Sequence, residues 1–359
     1  MVSLLILGVT SACVSWALIR SFRRWAANKK KLIDQPNERS LHTRPMVRGG
    51  GVGIVLVTLT FWGGLQFGPF RVPSWTLYST GPVALIMGGA LLIAAISWMD
   101  DVRNGLSPGL RLAVHVIAAG LAVQATGGWD LIALPFLGII DIKFVGSVIA
   151  LLWVVGLVNA YNFMDGIDGI AGVQALTAAG GWLAVGLLSG NGTLSVAGTL
   201  IGASAIGFLI HNWPPAKIFL GDVGSAFLGY SFAVISLCAS RLHIGPAMGR
   251  IPVAGALMVA PFILDSVFTF LRRLMKGERL SQAHRSHLYQ RLVVSGLSHR
   301  AVALAYAALG LAGSVAGVAF ILIQDQLAAD IISSLVALAV LAFLLFWTTA
   351  RERMEPRKI

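Results

Sequence analysis

Residues 144–172 read Phe144-Val-Gly-Ser-Val-Ile-Ala-Leu-Leu-Trp153-Val-Val-Gly-Leu-Val-Asn159-Ala-Tyr-Asn162-Phe-Met-Asp165-Gly-Ile-Asp168-Gly-Ile-Ala-Gly172. The apolar run over 144–161 has the length of a helix that crosses a hydrocarbon core, for which roughly 20 residues are needed. Its end is polar: Asn159, Asn162, Asp165 and Asp168 follow one another within ten positions. On a helix Asn159, Asn162 and Asp165 fall along one face, and Gly166 and Gly169 then loosen the backbone. A helix-breaking turn would account for one or two such side chains. Two amides and two carboxylates at the mouth of a span predict a binding pocket, because polar groups held against hydrocarbon are costly.

Apolar runs of the same kind recur at 2–19, 50–68, 80–99, 112–126, 169–189, 194–211, 224–240, 252–271, 300–323 and 331–348. Together they predict an all-α, polytopic integral membrane protein with about 10–11 transmembrane helices, organised as a single transmembrane domain over 1–359. Composition agrees: 57% of the 359 residues are hydrophobic and only 12% are charged, against roughly 25% charged in a soluble domain. Mean hydropathy is +0.81. A water-soluble globule of this size could not hide so much apolar side chain, and disordered, collagenous and disulfide-scaffold classes are excluded. Cys13 and Cys238 lie within apolar runs, which predicts buried thiols and no disulfide or metal site. The first run lacks a basic segment before it and a small-residue cleavage site after it, so it reads as a retained anchor.

The net charge of +12 does not point to nucleic acid, because the basic residues fall between apolar runs instead of on one face of a soluble module. Lys and Arg mark the cytoplasmic side of a membrane protein. With the segment after the first run placed in the cytoplasm, 23 of the 27 basic residues share that side, and only Arg71, Lys143, Arg241 and Arg250 fall opposite. This predicts an outside N-terminus and a cytoplasmic C-terminus.

The acidic residues gather on the same predicted face. Asp100 and Asp101 close an apolar run in Trp98-Met99-Asp100-Asp101-Val102-Arg103-Asn104. Adjacent carboxylates repel unless a cation or proton relieves them, so a divalent metal, a general base and a solvated helix end all fit. In Phe219-Leu220-Gly221-Asp222-Val223-Gly224-Ser225 the glycines allow close backbone approach, and N–H groups at a helix start favour phosphate oxygens. One carboxylate there suits Mg²⁺, which takes few protein carboxylates and shares substrate phosphates. The loop 272–300 carries His284-Arg285-Ser286-His287-Leu288-Tyr289-Gln290-Arg291, too few ligands for a closed zinc site but suited to phosphate or diphosphate. Arg48, beside the triple glycine 49–51, suggests another turn that approaches phosphate.

These strings resemble the polyprenyl-phosphate N-acetylhexosamine-1-phosphate transferases, the family that starts O-antigen, common-antigen and teichoic acid synthesis and includes the phospho-N-acetylmuramoyl-pentapeptide transferase. The resemblance runs through Asp34-Gln35-Pro36-Asn37-Glu38-Arg39, His42 to Arg48-Gly-Gly, Asp100-Asp101, Asn159 to Asp168, Phe219 to Asp222 and the His loop. It implies transfer of an N-acetylamino-sugar-1-phosphate from a UDP-sugar to undecaprenyl phosphate, with release of UMP. It also implies a Mg²⁺ requirement, with Mn²⁺ as a substitute, in a multi-pass protein of the bacterial inner membrane; a homodimer is compatible with it. Carried over by position, Asp222 resembles the metal-binding carboxylate and Asn162 a second ligand. Asp100 resembles the group that orients or deprotonates the lipid phosphate, and Asp101 its partner. Phe219 resembles the aromatic that stacks on uracil, while Asp165 and Asp168 resemble nucleoside- and site-shaping positions; Asn159, in the same string, is expected to bind substrate with them. His287 is expected near the diphosphate as a catalytic residue, with Arg48, His284 and Arg291 as further phosphate contacts.

One departure concerns the sugar. Many members end the last motif in His-x-His-His, where this chain reads His287-Leu288-Tyr289-Gln290. The change resembles the O-antigen-initiating branch that uses a 6-deoxy sugar such as N-acetylfucosamine or N-acetylquinovosamine, with a N-acetylglucosamine-specific enzyme of teichoic acid or common-antigen synthesis as the alternative. A secondary transporter would place paired polar breaks near mid-membrane, whereas these acids gather at helix ends. A prenyl-transferring enzyme would need a third acid after Asp100-Asp101.

Overall fold

The computed structural model describes residues 1–36, 41, 44–68, 80–103, 105–242, 246–278 and 285–354. Asn37 to Arg39, His42, Arg71, Asn104 and His284, all named above, lie outside the described residues. The chain runs α1 (Val2–Ala26), β1 (Ile33–Asp34), β2 (Met46–Val47), α2 (Gly51–Phe67), α3 (Thr80–Arg103), α4 (Pro108–Thr126), β3 (Leu131–Leu134), β4 (Gly138–Asp141) and α5 (Lys143–Met164). It continues through α6 (Ile170–Leu188), α7 (Gly192–Asn212), α8 (Asp222–Leu242), α9 (Pro246–Met258), α10 (Ala260–Met275), α11 (Leu288–Val294), α12 (His299–Leu322) and α13 (Gln326–Met354). The fold is all-α and polytopic, as the apolar runs predict.

Among the described residues nine helices are long and apolar enough to cross a membrane, or ten if the bent pair α9–α10 is one span. α2, at 17 residues, rises about 25 Å, short of a core of about 30 Å. The run 252–271 does not form the single helix expected of it. It breaks at Val259, and its two halves meet at 74°. Pro261 supplies the cause: it suits the first turn of α10, yet its ring clashes with a helical carbonyl four residues back and it has no N–H to give.

α7 and α8 form the buried centre, while α1, α4 and α13 are largely exposed. Small residues let the central helices approach closely: a Cβ on Gly198 of α7 would lie 2.6 Å from the Ala179 carbonyl oxygen of α6. The outward Leu, Ile, Val and Phe of α1 and α13 suit lipid. Cys13 is exposed on α1 and Cys238 half-buried; both are free. The expected burial of Cys13 fails because a lipid-facing apolar run needs no protein cover.

Among the described residues two antiparallel strand pairs complete the fold. β3 pairs with β4, Leu131 opposite Asp141 and Leu134 opposite Gly138. β1 pairs with β2, Ile33 opposite Val47, and this short ladder carries Asp34 and Arg48 to the ends of α3 and α8, where the Asp100, Asp165 and Asp222 strings converge.

Candidate active site

The neighbouring acids Asp100 and Asp101 do different work. Asp101, 1% exposed, accepts the backbone N–H groups of Asp222 and Val223, each at 3.1 Å, on its two carboxylate oxygens. It thereby caps α8 with the charge the helix start favours. Arg48 donates to the Asp101 backbone carbonyl, and its Nε lies 3.9 Å from Oδ1. Asp100 instead accepts the Leu106 N–H on one oxygen and meets Arg111 Nη1 with the other at 3.1 Å.

Arg111, at the start of α4, joins the clusters. The same Nη1 lies 3.2 Å from Asp222 Oδ2, while Nη2 donates to Asn162 Oδ1 at 3.0 Å. Asn162 in turn donates to Ser225 Oγ at 3.1 Å. One guanidinium fork thus gathers oxygens from α3, α5 and α8, the geometry for which Arg is suited. Among the described residues no three His, Cys, Asp or Glu side chains form a metal cluster. Mg²⁺ does not need one, since it takes one or two carboxylates and shares the rest with phosphates and water. The oxygens of Asp222, Asn162 and Asp100 around a single cationic group are a donor set that fits such a hard ion.

Asp165 follows the last turn of α5, and burial together with the carboxyls of Asp222, Asp101 and Asp168 holds its carboxyl well above the usual range. Asp168 is held by its neighbours: its Oδ2 accepts the Ala216 N–H at 3.0 Å, and His299 Nδ1 lies 3.4 Å away. Gly169, at φ +81°, adopts the left-handed conformation glycine accepts readily. Its N–H meets the buried Asn212 Oδ1 at 2.7 Å.

The glycine-rich turns are not the phosphate turns their sequence suggests. The first two amides of α8 are taken by Asp101, and those of Gly224 and Ser225 meet the Gly221 carbonyl at 3.1 Å. Gly50 and Gly51 donate to the Phe219 and Leu220 carbonyls at 2.9 and 2.8 Å. A Cβ on Gly51 would lie 2.1 Å from Gly224 Cα. The triple glycine is therefore a packing seam between the start of α2 and the Asp222 turn. Gly51→Ala is expected to cost about 1–3 kcal/mol or more, as overpacking against backbone does. A lowered melting temperature of the variant in detergent, with loss of activity even in its folded fraction, is the expected result; unchanged values for both would show that the seam yields.

Two cavities meet at this cluster. The smaller, about 230 Å³, is polar and lined by Arg48, Asp101, Asp165, Asp168, Phe219 and Asp222 among others. The larger, about 780 Å³, opens between α4, α5 and α10: Leu112, Leu152, Val267 and Phe270 supply apolar wall, and Arg111, Asn159, Asn162 and His287 its polar end. Gln290 lines both. Asn159 donates to the Val155 carbonyl at 2.7 Å. Arg291 lines neither cavity and is tied to Glu352 of α13 by both Nε and Nη2.

Residues 83–240 match the model of glycosyl transferase family 4. The chain is 32% identical to a probable undecaprenyl-phosphate N-acetylglucosaminyl 1-phosphate transferase of Bacillus subtilis, over 80% of this chain and 76% of that protein. It is 30% identical to the decaprenyl-phosphate N-acetylglucosaminephosphotransferase of Mycobacterium tuberculosis, over 84% of this chain and 78% of the relative. The chain belongs to glycosyl transferase family 4, the polyprenyl-phosphate hexosamine-1-phosphate transferases. A phospho-N-acetylmuramoyl-pentapeptide-transferase of a Synechococcus is also 30% identical, over 80% of this chain and 82% of its own length.

The matched stretch 83–240 of this family 4 transferase includes Asp100, Arg111, Asn162, Asp165 and Asp222 and stops before the His287 loop. Two residues that touch the predicted positions escape motif reading: Arg111, which meets Asp100, Asp222 and Asn162, and Asp265, which lies 3.1 Å from His287 Nδ1. Arg111 counts in the sequence as one more cytoplasmic positive charge, although it begins an apolar run. Asp265 is the one carboxylate inside a run read as a span, a signal strong enough to have found it.

Proposed function

We propose that this membrane enzyme transfers an N-acetylamino-sugar-1-phosphate from a UDP-sugar to undecaprenyl phosphate, releasing UMP and leaving a diphosphate-linked sugar that initiates O-antigen-like glycan synthesis. The observation that carries the reading is that a polar and a largely apolar cavity share Gln290 and are joined by the contact between Asp222 of the first and Arg111 of the second, with Asp100 on the same guanidinium. A water-soluble nucleotide suits the first, with Phe219 offering a face to uracil, and a polyprenyl chain with a phosphate head suits the second. The names of the relatives support a polyprenyl phosphate acceptor and the transfer of an amino-sugar phosphate. The uneven spread of Lys and Arg supports a cytoplasmic site, the side where UDP-sugars are found, and an outside N-terminus; one transferase domain over 1–359 and a bacterial inner membrane location complete the reading.

An oxygen of the lipid phosphate attacks the phosphorus that bears the sugar; the bond to the bridging oxygen of the diphosphate breaks, and UMP departs with those electrons. The lipid phosphate has a second pKa near 6, so it is mostly dianionic at neutral pH and needs little help from a base. The harder task is to hold two anions together. Arg111, facing the larger cavity, draws in the lipid phosphate. Asp101 and Arg48 fix the start of α8, which holds Asp222 in place. Asp100 orients Arg111. Mg²⁺, or Mn²⁺ in its stead, held by Asp222 and Asn162, would neutralise the donor diphosphate and ease the departure of UMP.

For the sugar we favour a 6-deoxy N-acetylamino donor. Gln290 lines both cavities, and with Tyr289 it stands where the His-x-His-His pattern of the family resemblance would place histidines. N-acetylglucosamine, the sugar in the names of the Bacillus and Mycobacterium relatives, is the second reading. Purified protein supplied with undecaprenyl phosphate, Mg²⁺ and a panel of UDP-N-acetylamino sugars is expected to release UMP with a 6-deoxy donor. Faster release with UDP-N-acetylglucosamine reverses the choice of sugar, and lipid-dependent UMP from no donor sinks the function.

A further inference from the structure

The carboxylate of Asp265, 0% exposed, lies just beyond the break between α9 and α10. Its Oδ1 receives the Leu288 N–H at 2.9 Å, the Thr269 hydroxyl at 3.2 Å and lies 3.1 Å from His287 Nδ1. Its Oδ2 receives the Tyr289 N–H at 3.1 Å and the Tyr306 hydroxyl at 2.6 Å. Both oxygens already accept a backbone N–H, so neither has a natural place for a proton of its own. Such a set of partners suits a carboxylate. An ionised Asp265 requires a hydrogen on Nδ1 of His287, since two facing lone pairs would repel.

We propose that Asp265 is a positioning residue for His287, holding the ring in its Nδ1–H form so that Nε2 is the nitrogen presented to a phosphate oxygen at the polar end of the larger cavity. The His287 ring lines that cavity with Arg111, Asn162 and Gln290. It packs between Phe163 and Tyr289, with centroids 6.2 and 5.9 Å away, so its plane as well as its tautomer is fixed. The charged and titratable groups around it are Asp265 and Arg273 on α10, Arg111 on α4, Tyr289 on α11 and Tyr306 on α12. With Nδ1–H given to a carboxylate, Nε2 is the ring nitrogen left for the substrate; when it too carries a proton, the resulting imidazolium donates to phosphate more strongly than a neutral ring. The break at Val259 gains a purpose from this: it turns Asp265 out of a continuous span and toward the loop that follows α10.

The contact with substrate rests on the proposed transfer reaction; the tautomer does not. Asp265→Asn is expected to lower kcat about 10- to 100-fold, the range for groups that orient a functional histidine. In His287→Gln the same change is expected to cost about twofold or less, because the two residues act as one unit. A further 10-fold loss on the His287→Gln background means that Asp265 serves only to hold α11, and overturns the proposal. A second measurement needs no turnover. ¹⁵N spectra of histidine-labelled protein, with the His287 signal identified by its absence in His287→Gln, are expected to show a proton on Nδ1 in the wild type. A neutral ring carrying its proton on Nε2 overturns the proposal even if Asp265→Asn fails to fold. If no donor yields UMP while Nδ1 is protonated, the transfer reaction falls and the positioning of His287 stands.

Discussion

Asp222→Ala is expected to lower kcat/KM by about 10³-fold, the upper end of the loss when one charge-stabilising group is removed from a reaction centre, and Asp100→Asn by about 10²-fold or less, at or below its lower end. The ranking follows from what each carboxylate touches. Asp222 faces the polar cavity, meets Arg111 at 3.2 Å and neighbours both Asp100 and Asn162. Its removal takes away the carboxylate best placed to share a cation with the donor diphosphate. Arg111 then keeps only Asp100 and Asn162. Asp100→Asn leaves an oxygen for the Leu106 N–H and loses only charge toward Arg111. Asp222→Ala should also leave folding largely intact, because the amide capping of α8 belongs to Asp101 and not to Asp222 itself. UMP release at saturating Mg²⁺ measures both variants, and equal residual activity in the two would overturn the ranking.

The parts of the fold that were legible in the sequence were those set by length and hydropathy. A run of apolar residues long enough to span hydrocarbon has few alternatives to a helix, since lipid offers no partner for backbone N–H and C=O groups. The break at Val259 hid inside such a run because hydropathy is continuous across it and only Pro261 marks it. The convergence of Asp100, Asn162 and Asp222 was also legible, because each closes or opens a run on the same predicted face. Glycine was the hardest residue to read. Spacing cannot tell a glycine that faces a phosphate from one that faces another glycine, and Gly51 against Gly224 is the second kind. Arg111 and Asp265 were obscured for opposite reasons. The first looked like part of a topological charge bias, and the second was a lone acid without a motif around it.

Arg111→Ala is expected to lower kcat/KM for the lipid substrate by about 10²- to 10³-fold, as the loss of a preorganised group at a developing charge does. Its signature should differ from that of Asp222→Ala. Arg111 lines the larger cavity and Asp222 the smaller, so the KM for undecaprenyl phosphate should rise more in Arg111→Ala than the KM for the UDP-sugar. Removing the guanidinium also leaves the Asp100 and Asp222 carboxylates without the cation between them, and like charges so close repel each other. Arg111→Lys keeps the charge but not the fork: one ammonium cannot hold Asp100, Asp222 and Asn162 in the geometry that Nη1 and Nη2 now provide. Its activity should lie between that of the wild type and Arg111→Ala. Steady-state kinetics with each substrate varied in turn separate these outcomes. A selective rise in the UDP-sugar KM would move Arg111 to the donor side of the reaction, and an Arg111→Lys variant as active as the wild type would mean that charge alone, without the bidentate geometry, suffices at this point of the site.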